Sequence, residues 1–244
     1  MLDDNNLRMK KIFTLALLAL ATIATNAQTK HTVNVWVDGQ KTTIENVDSL
    51  TFTEDEKPEP AMEYVDLGLS VKWATCNLGA TKDDEIGNYY AWGETEPKVE
   101  YSENTWKFNS ENRTKYNDDD NKLVLDPEDD AATVALGADW RMPDYTELEE
   151  LMQQCEWTWT TDKERPGFLV KSNKNGNTIF IPTSGSVDES GEAYGTSKYV
   201  QMWTSERPSG STYPYNLFAV KAGSKISNTY GYIGMPIRPV YKGK

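Results

Sequence analysis

Histidine is almost absent from this chain, and its scarcity removes several kinds of catalytic and metal site from consideration. The 244 residues include one histidine, His31, in an N-terminal segment whose pattern predicts a β-strand. Without a second histidine, neither a serine triad nor a cysteine–histidine pair is predicted in the main part of the chain. Histidine-based zinc sites are excluded for the same reason.

Basic residues are also few. The chain has 25 Lys and Arg against 38 Asp and Glu, which gives a formal net charge of −13. Such a chain repels nucleic acid and anionic lipid, and no basic stripe in the sequence offsets this. We therefore predict no nucleic-acid partner.

Long hydrophobic runs are missing except near the N-terminus. Basic residues precede the uncharged run IFTLALLALATIAT at 12–25, and the small residues Thr25 and Ala27 precede Gln28. This order is typical of a secretory signal peptide over 1–27 that is cut before Gln28. The run is too short to span a bilayer as a helix. We expect an exported protein, periplasmic, surface-displayed or secreted, with no transmembrane segment in the mature chain.

Cysteine occurs twice, as Cys76 and Cys155. A pair in an exported protein is compatible with a disulfide, and the helix that Cys155 closes is expected to pack on the strand-like segment around Cys76. The alternative is two buried free thiols that act as small apolar residues. The sequence leaves both interpretations open.

Beyond the signal, the pattern predicts three segments. Residues 28–53 read as a small β module, with alternating valines, a turn at Asp38-Gly39 and a third short strand over 47–53. The charged, proline-bearing stretch 54–62 predicts a linker. Residues 63–244 predict an α+β domain of mostly antiparallel, irregular sheet with two main helices.

Two helix starts stand out in the larger domain. Asp126-Pro127-Glu128 has the pattern of an N-cap followed by proline and an acidic first turn. Asp144 with Glu147 has capping-box spacing, and an apolar face follows through Leu148, Leu151, Met152 and Cys155. Strands are predicted at 167–170, 178–181, 199–204, 215–220 and 235–241. The polar run 108–122 is predicted to be a long exposed loop.

Several blocks in this domain resemble one known family. They are YVDLGLSVKWATCNLGA (64–80), IGNYYAWGETEPK (86–98), LDPEDDAA (125–132), WRMPDYTELEEL (140–151), CEWTWTT (155–161), NTIFIPTSG (177–185), MWTSE (202–206) and IRPVY (237–241). Together they resemble the FISUMP family, the major paralogous domain of exported Bacteroidetes and Fibrobacter proteins. The resemblance covers about 63–242, and the leader at 31–53 resembles a short module found ahead of such domains.

The resemblance implies a fold related to C-type lectins and to the formylglycine-generating enzyme, through the helix start Arg141-Met142-Pro143-Asp144. This chain has Asp144 where threonine is usual, and Thr204-Ser205-Glu206 where a serine run is more common. It also has Pro236 in the last predicted strand, where it cannot donate a ladder hydrogen bond. The enzymes of this fold use a reactive cysteine pair late in the domain. No cysteine follows Cys155, so that activity is not carried over.

Acidic residues offer two further hypotheses. Paired carboxylates can hydrolyse glycosides, and the candidates are Glu94, Glu96, Asp126, Glu128, Asp129 and Asp130. The acidic stretch 118–130 also supplies oxygen ligands for calcium, but it lacks the glycine and closing glutamate of a calcium loop. We therefore expect no metal or other cofactor, with calcium as the alternative and carboxylate hydrolysis as the weakest hypothesis.

Aromatic residues in the C-terminal third point to binding. Tyrosines there alternate with Gly, Ser, Thr and Asn, a composition typical of adaptable recognition surfaces. The candidate ligand-binding residues are Tyr194, Tyr199, Tyr213, Tyr215, Tyr230 and Tyr232, whereas Trp203 is expected in the core. The leading hypothesis is a non-catalytic binding module for an extracellular glycan or protein. The alternative is a structural envelope protein whose aromatics are all buried.

Overall fold

The structure, a computed structural model, describes residues 31–37, 40–47, 62–111 and 113–242. The chain divides into two compact units, residues 1–59 and 60–244. This division lies within the stretch predicted as a linker, 54–62, of which the structure describes only Met62. The predicted signal peptide and the predicted strand residues 48–53 lie outside the described residues.

The first unit contains one antiparallel hairpin. Strand β1 (His31–Val37) pairs with β2 (Gln40–Val47), and Val37 lies opposite Gln40. A two-residue connection at Asp38-Gly39 is what the sequence predicts, because such dipeptides favour tight hairpin turns. The predicted strand position of His31 is confirmed.

The second unit mixes short strands with two α-helices. The strands are β3 (Tyr64–Val65), β4 (Lys72–Ala74), β5 (Trp140–Arg141), β6 (Cys155–Thr160), β7 (Gly167–Ser172), β8 (Thr178–Pro182), β9 (Ser186–Val187), β10 (Ala193–Tyr194), β11 (Val200–Trp203), β12 (Tyr215–Val220), β13 (Gly223–Asn228) and β14 (Val240–Tyr241). The α-helices of the described residues are α1 (Ala131–Leu136) and α2 (Tyr145–Gln154), and 3-10 turns occur at Glu103–Thr105 and Pro127–Asp129.

All the sheets of this unit are antiparallel. One has the order β3-β4-β14-β5, so the last strand of the chain, β14, lies between β4 and β5. Two others are meanders, β6-β7-β8 and β11-β12-β13, and β9 pairs with β10. The expectation of an α+β unit with mostly antiparallel sheet is confirmed.

Helix α2 begins as the sequence predicts. The Asp144 carboxylate accepts from the Glu147 backbone N–H at 2.8 Å, and the Glu147 carboxylate accepts from the Asp144 N–H at 3.0 Å. The Arg141 guanidinium contacts the Glu147 carboxylate with two nitrogens. Leu148 and Leu151 on the apolar face are buried. This start is determined by residues close in sequence, which is why the pattern identifies it.

The other predicted helix start is displaced. Pro127–Asp129 form only a 3-10 turn, and α1 is capped by Asp130 instead of Asp126. The Asp130 carboxylate accepts from the Thr133 N–H at 2.9 Å and also from the Met142 N–H at 2.9 Å. A cap that serves two segments at once outweighs the local signal at Asp126.

Two hydrophobic clusters fill the unit. The first gathers aromatic residues from the irregular segments 78–125 around Trp92, Trp106 and Trp203. The second lies between helix α2 and the sheets, around Trp73, Leu151 and Leu217. The expected core position of Trp203 is confirmed, since its side chain is buried and its indole N–H donates to the Tyr90 carbonyl at 2.8 Å.

The run 108–122, predicted as an exposed loop, is anchored in the core. Phe108 and Tyr116 are buried in the first cluster, and the Tyr116 ring packs edge-on against Trp92 at 5.2 Å and Phe108 at 5.0 Å. The buried Arg207 also holds this run, because its guanidinium donates to the Lys122 and Asn117 carbonyls. Two aromatic residues eight positions apart in a polar stretch give too weak a periodic signal to predict this burial.

The last predicted strand, 235–241, is shortened to Val240–Tyr241. Met235 forms an isolated bridge with Tyr90, and Pro236 and Pro239 separate this bridge from β14. Proline cannot donate to a strand ladder, so the interruption follows directly from the sequence. Strand β13 was not predicted, because Gly223–Asn228 lacks an apolar alternation.

Candidate functional site

Three of the six candidate tyrosines meet in one group at the surface, which we call the tyrosine cluster: Tyr213, Tyr230 and Tyr232. The Tyr213 and Tyr230 rings pack edge to face at 5.0 Å, and the Tyr230 and Tyr232 rings stack at 5.1 Å. Tyr213 and Tyr230 are 44% and 49% exposed. Two adjacent rings of the cluster are therefore exposed to solvent, while the half-buried Tyr232 packs against the first hydrophobic cluster.

The register of the β12–β13 hairpin brings these rings together. Tyr215 lies opposite Asn228 in the ladder, and the Thr229 N–H donates to the Pro214 carbonyl at 3.2 Å, which continues the pairing by one position. One further position along each strand places Tyr213 opposite Tyr230. Tyr232 follows two residues later in a turn, in which the Ile233 N–H donates to the Tyr230 carbonyl at 3.3 Å.

Gly231 allows the segment 230–232 to pack closely on the core. A Cβ built at Gly231 would lie 2.1 Å from an atom of the Trp106 ring, so only glycine allows the backbone to approach that ring. The Trp92 N–H donates to the Gly231 carbonyl at 2.8 Å. Tyr230 and Tyr232, on either side of Gly231, are thus held on a buried and rigid support.

Three charged residues lie near enough to the tyrosine cluster to act on it electrostatically, and we call them its rim: Arg113, Glu103 and Glu189. The Arg113 guanidinium lies 4.9 Å from the Trp106 ring centre, and its Nε donates to the Phe108 carbonyl at 2.9 Å. Burial lowers the pKa of Arg113, while nearby Glu103 and Tyr213 act in the opposite sense. The pKa of Tyr232 is raised, first by burial and then by Glu189. The rim therefore combines one cation with two carboxylates.

The other three candidate tyrosines lie elsewhere. Tyr194 is exposed on β10, and Tyr199 packs on Phe218 at 5.3 Å with its hydroxyl 3.4 Å from the Tyr194 carbonyl. Tyr215 is half-buried and packs against Tyr145 at 4.8 Å. The six residues do not form one face, and composition alone does not separate the two groups.

The acidic stretch considered for calcium holds an internal cation. Carboxylate oxygens of Asp126, Glu128 and Asp129 lie within 4.8 Å of one another. The Lys115 Nζ is 2.9 Å from Asp126 Oδ2, 2.8 Å from Glu128 Oε1 and 3.0 Å from Asp129 Oδ2. The Lys115 ammonium thus takes the position between the three carboxylates that a bound cation would need.

The pKa values of these carboxyls follow from their partners. Lys115 lowers the pKa of Glu128, and Lys122 and then Lys115 lower that of Asp126. Burial acts to raise the pKa of Asp129, but contacts with Lys107, Tyr116 and Lys115 outweigh it and the pKa is lowered. All three groups are thus held in the charged form by ion pairs and hydrogen bonds.

The remaining carboxylates considered for hydrolysis also have structural partners or lie exposed. Glu94 forms an ion pair with Lys98 at 2.9 Å, and Glu96 is exposed. Burial raises the pKa of Asp130, against the effect of the N–H groups that it caps at the start of α1. The described geometry gives each partnered carboxylate a role in holding the loops together.

The candidate disulfide is not formed. Cys76 and Cys155 are both free and buried. The Cys76 Sγ lies 3.3 Å from the Ala80 carbonyl and 3.6 Å from the Met62 Sδ, whereas Cys155 packs in the second cluster. Burial raises the pKa of Cys155 to about 11 and also raises that of Cys76. The alternative interpretation, two buried thiols that act as apolar residues, describes the structure.

Among the described residues, no helix has the length and apolar character needed to cross a membrane. No family model matches the chain, and neither a curated protein nor a solved structure shows significant similarity to it.

Proposed function

We propose that this chain is an exported binding module that recognises an extracellular glycan or protein through the tyrosine cluster. The observation that carries the proposal is the meeting of the exposed Tyr213 and Tyr230 rings with the half-buried Tyr232 ring, which packs on the core. Aromatic rings give large contact area at a low cost in conformational entropy, and their polar tips provide hydrogen bonds.

The rim supports the same proposal. Arg113, Glu103 and Glu189 act electrostatically on the cluster and carry charges of both signs. An apolar centre with a polar rim is the usual arrangement of a recognition surface. The partnered carboxylates described above favour binding over hydrolysis as the better supported function.

The proposal includes the fold and the family. We propose a C-type-lectin-like domain of the FISUMP type, supported by the motif blocks and by the capped helix that begins after Arg141-Met142-Pro143. The pairing of β4 with β14, which joins the two ends of the domain, is consistent with such a fold.

Export rests on the N-terminal sequence. The basic residues, the apolar run 12–25 and the small residues before Gln28 predict cleavage at that point. Mass spectrometry of protein recovered outside the cytoplasm should find Gln28 as the first residue. Recovery of an intact N-terminus there would contradict cleavage.

The binding proposal is tested with tyrosine variants. The mature protein is screened on a glycan array and against extracellular protein fractions, and binding is then measured for Tyr213→Ala and Tyr230→Ala. We expect each to weaken binding by about fivefold or more, as for central aromatic contacts. The melting temperature should change little, because both side chains are exposed.

Tyr194→Ala is the matched control. Tyr194 is a tyrosine of similar exposure, 43%, that lies outside the cluster, so its removal should leave binding unchanged. If Tyr213→Ala and Tyr230→Ala instead unfold the domain, the cluster is structural and the structural envelope protein becomes the better explanation. If all three variants bind like the wild type, the ligand contacts another surface.

A further inference from the structure

A groove on the β11-β12-β13 sheet contains a buried polar group with no partner. The groove has a volume of about 200 Å³ and is lined by Gln201, Asn216, Phe218, Lys225, Ser227, Asn228 and Thr229. It is separate from the tyrosine cluster, which contributes none of these lining residues.

The sheet register explains why these side chains share one face. Asn216 lies between Trp203 and Ser227 in the ladder, and Phe218 lies between Gln201 and Lys225. Side chains two positions apart on a strand project to the same side. The opposite face carries Met202, Leu217 and Ile226 towards the second cluster. The groove is therefore on the side of this sheet that the second cluster leaves uncovered.

Asn216 is the unusual residue of the groove. Its side chain is 0% exposed, and its Oδ1 accepts from the Gln201 Nε2 at 3.3 Å. Its Nδ2 has no hydrogen-bond partner among the described residues. Buried donors are rarely left unpaired in folded proteins, because desolvation without a hydrogen bond is costly. An acceptor oxygen bound in the groove would satisfy the Asn216 Nδ2 donor.

The charge of the groove indicates which kind of ligand would supply that acceptor oxygen. Lys225 is exposed, lies 5.9 Å from the Phe218 ring centre and has no ion-pair partner in the part of the chain that the structure describes. None of the seven lining residues is acidic. In a chain with a net charge of −13, a groove with a free cation and no carboxylate favours an anionic ligand.

The remaining lining residues match hydroxyl groups and a ring. Ser227, Thr229 and Asn228 can both donate and accept hydrogen bonds, and Phe218 provides an apolar surface. The volume is below the roughly 300–1,000 Å³ of sites for drug-sized ligands, so the ligand is small. We propose that this groove binds a single sugar residue that carries a carboxylate, with the carboxylate towards Lys225 and a ring or hydroxyl oxygen towards Asn216.

This inference does not depend on the proposed function of the tyrosine cluster, and the test separates the two. The ¹⁵N-labelled mature protein is titrated with glucuronate, and glucose is titrated in parallel as the neutral probe. We expect glucuronate to shift the Asn216 side-chain amide signals and the backbone signals of 225–229. Glucose should bind more weakly, and added salt should weaken glucuronate binding because Lys225 is exposed.

Two lysine variants give the decisive comparison. Lys225→Gln should lower the affinity for glucuronate about three- to fivefold, the upper range for an exposed ion pair. Lys221→Gln, an exposed lysine in the turn of the same hairpin outside the groove, should leave it unchanged. Tyr213→Ala should also leave glucuronate binding unchanged.

Several results would overturn the inference. An unchanged Asn216 amide signal at saturating glucuronate would mean that this donor is satisfied by water. Equal binding of glucose and glucuronate, unaffected by Lys225→Gln, would refute the acidic sugar. Shifts confined to the tyrosine cluster would refute the groove and leave the proposed function standing.

Discussion

Removal of the Lys115 charge should destabilise the protein, because this ammonium joins three carboxylates that otherwise repel one another. Lys115 contacts Asp126, Glu128 and Asp129 at 2.8–3.0 Å. We consider Lys115→Met, which keeps an unbranched side chain and removes the cation. Asp129 is almost fully buried, with 1% of its side chain exposed, so its desolvated charge depends strongly on its partners.

The magnitude follows from burial. Breaking a fully buried ion pair by removing one partner costs about 3–5 kcal/mol, and an exposed pair is worth about 0–1 kcal/mol. Lys115 is 31% exposed, and Asp129 keeps Lys107 and the Tyr116 hydroxyl as partners. We therefore expect a loss of about 1–2 kcal/mol in the free energy of unfolding at pH 7.

The loss should depend on pH in a definite direction. The folded-state pKa values of Asp126, Glu128 and Asp129 lie below their usual range. Carboxyls with lowered pKa values stabilise the fold above about pH 4, the unfolded-state value, and this contribution disappears as the pH falls through the folded-state values. The difference between wild type and Lys115→Met should accordingly shrink below pH 4.

Urea denaturation at several pH values measures these effects. Lys163→Gln is the control, since Lys163 pairs with Asp83 on the surface with 41% of its side chain exposed, and its removal should cost less than about 0.5 kcal/mol. A loss for Lys115→Met that is equally small, or that does not change between pH 7 and pH 3, would refute the assigned role.

The same site makes a prediction about calcium. Since Lys115 fills the space between the carboxylates, millimolar calcium should leave the melting temperature of the wild type unchanged. Lys115→Ala opens that space, and a cation that binds only the folded state raises its stability. Calcium should therefore raise the melting temperature of Lys115→Ala. An equal rise in the wild type would show that calcium binds without displacing Lys115 or binds elsewhere.

Two further predictions concern the core. Tyr116→Phe should lower the free energy of unfolding by about 2 kcal/mol, because hydrogen bonds to charged groups are worth about 1.5–3 kcal/mol. The Tyr116 hydroxyl donates to Asp129 Oδ2 at 2.6 Å and accepts from the Asp126 N–H at 2.8 Å. Urea denaturation compares this variant with the exposed Tyr213→Phe, and equally small losses would mean that the two hydrogen bonds of the Tyr116 hydroxyl contribute little to stability. Alkylation without reductant should label two thiols per denatured chain and few in the native protein, since Cys76 and Cys155 are free and buried; failure to label the denatured chain would demonstrate a disulfide.

Features determined by neighbouring residues were predictable from the sequence. The capping box of α2 needs only Asp144 and Glu147, which are three residues apart, and both its hydrogen bonds are present. The hairpin of β1 and β2 follows from a turn dipeptide between alternating residues. The break before β14 follows from Pro236 and Pro239, which cannot donate ladder bonds.

Features that join distant segments were not predictable. Asp130 caps α1 because it also accepts from the Met142 N–H, twelve residues away. Tyr116 and Lys115 lie in the polar run 108–122 and contact acidic residues at 126–129. No periodic pattern in the sequence predicts these contacts. The free thiols illustrate the same limit, since a helix end and a strand can pack in one domain without bringing two particular cysteines together.

The tyrosine cluster was predictable only in part from the sequence. Composition drew attention to six tyrosines but gave no means of dividing them. The division comes from register: once Tyr215 pairs with Asn228, Tyr213 and Tyr230 must lie across from each other, whereas Tyr215 packs on Tyr145 of α2. Strand β13 carries few apolar residues, so no apolar alternation predicts that pairing. The tyrosine cluster at the open end of this hairpin is therefore a consequence of strand alignment, and a one-residue slip between β12 and β13 would separate the rings.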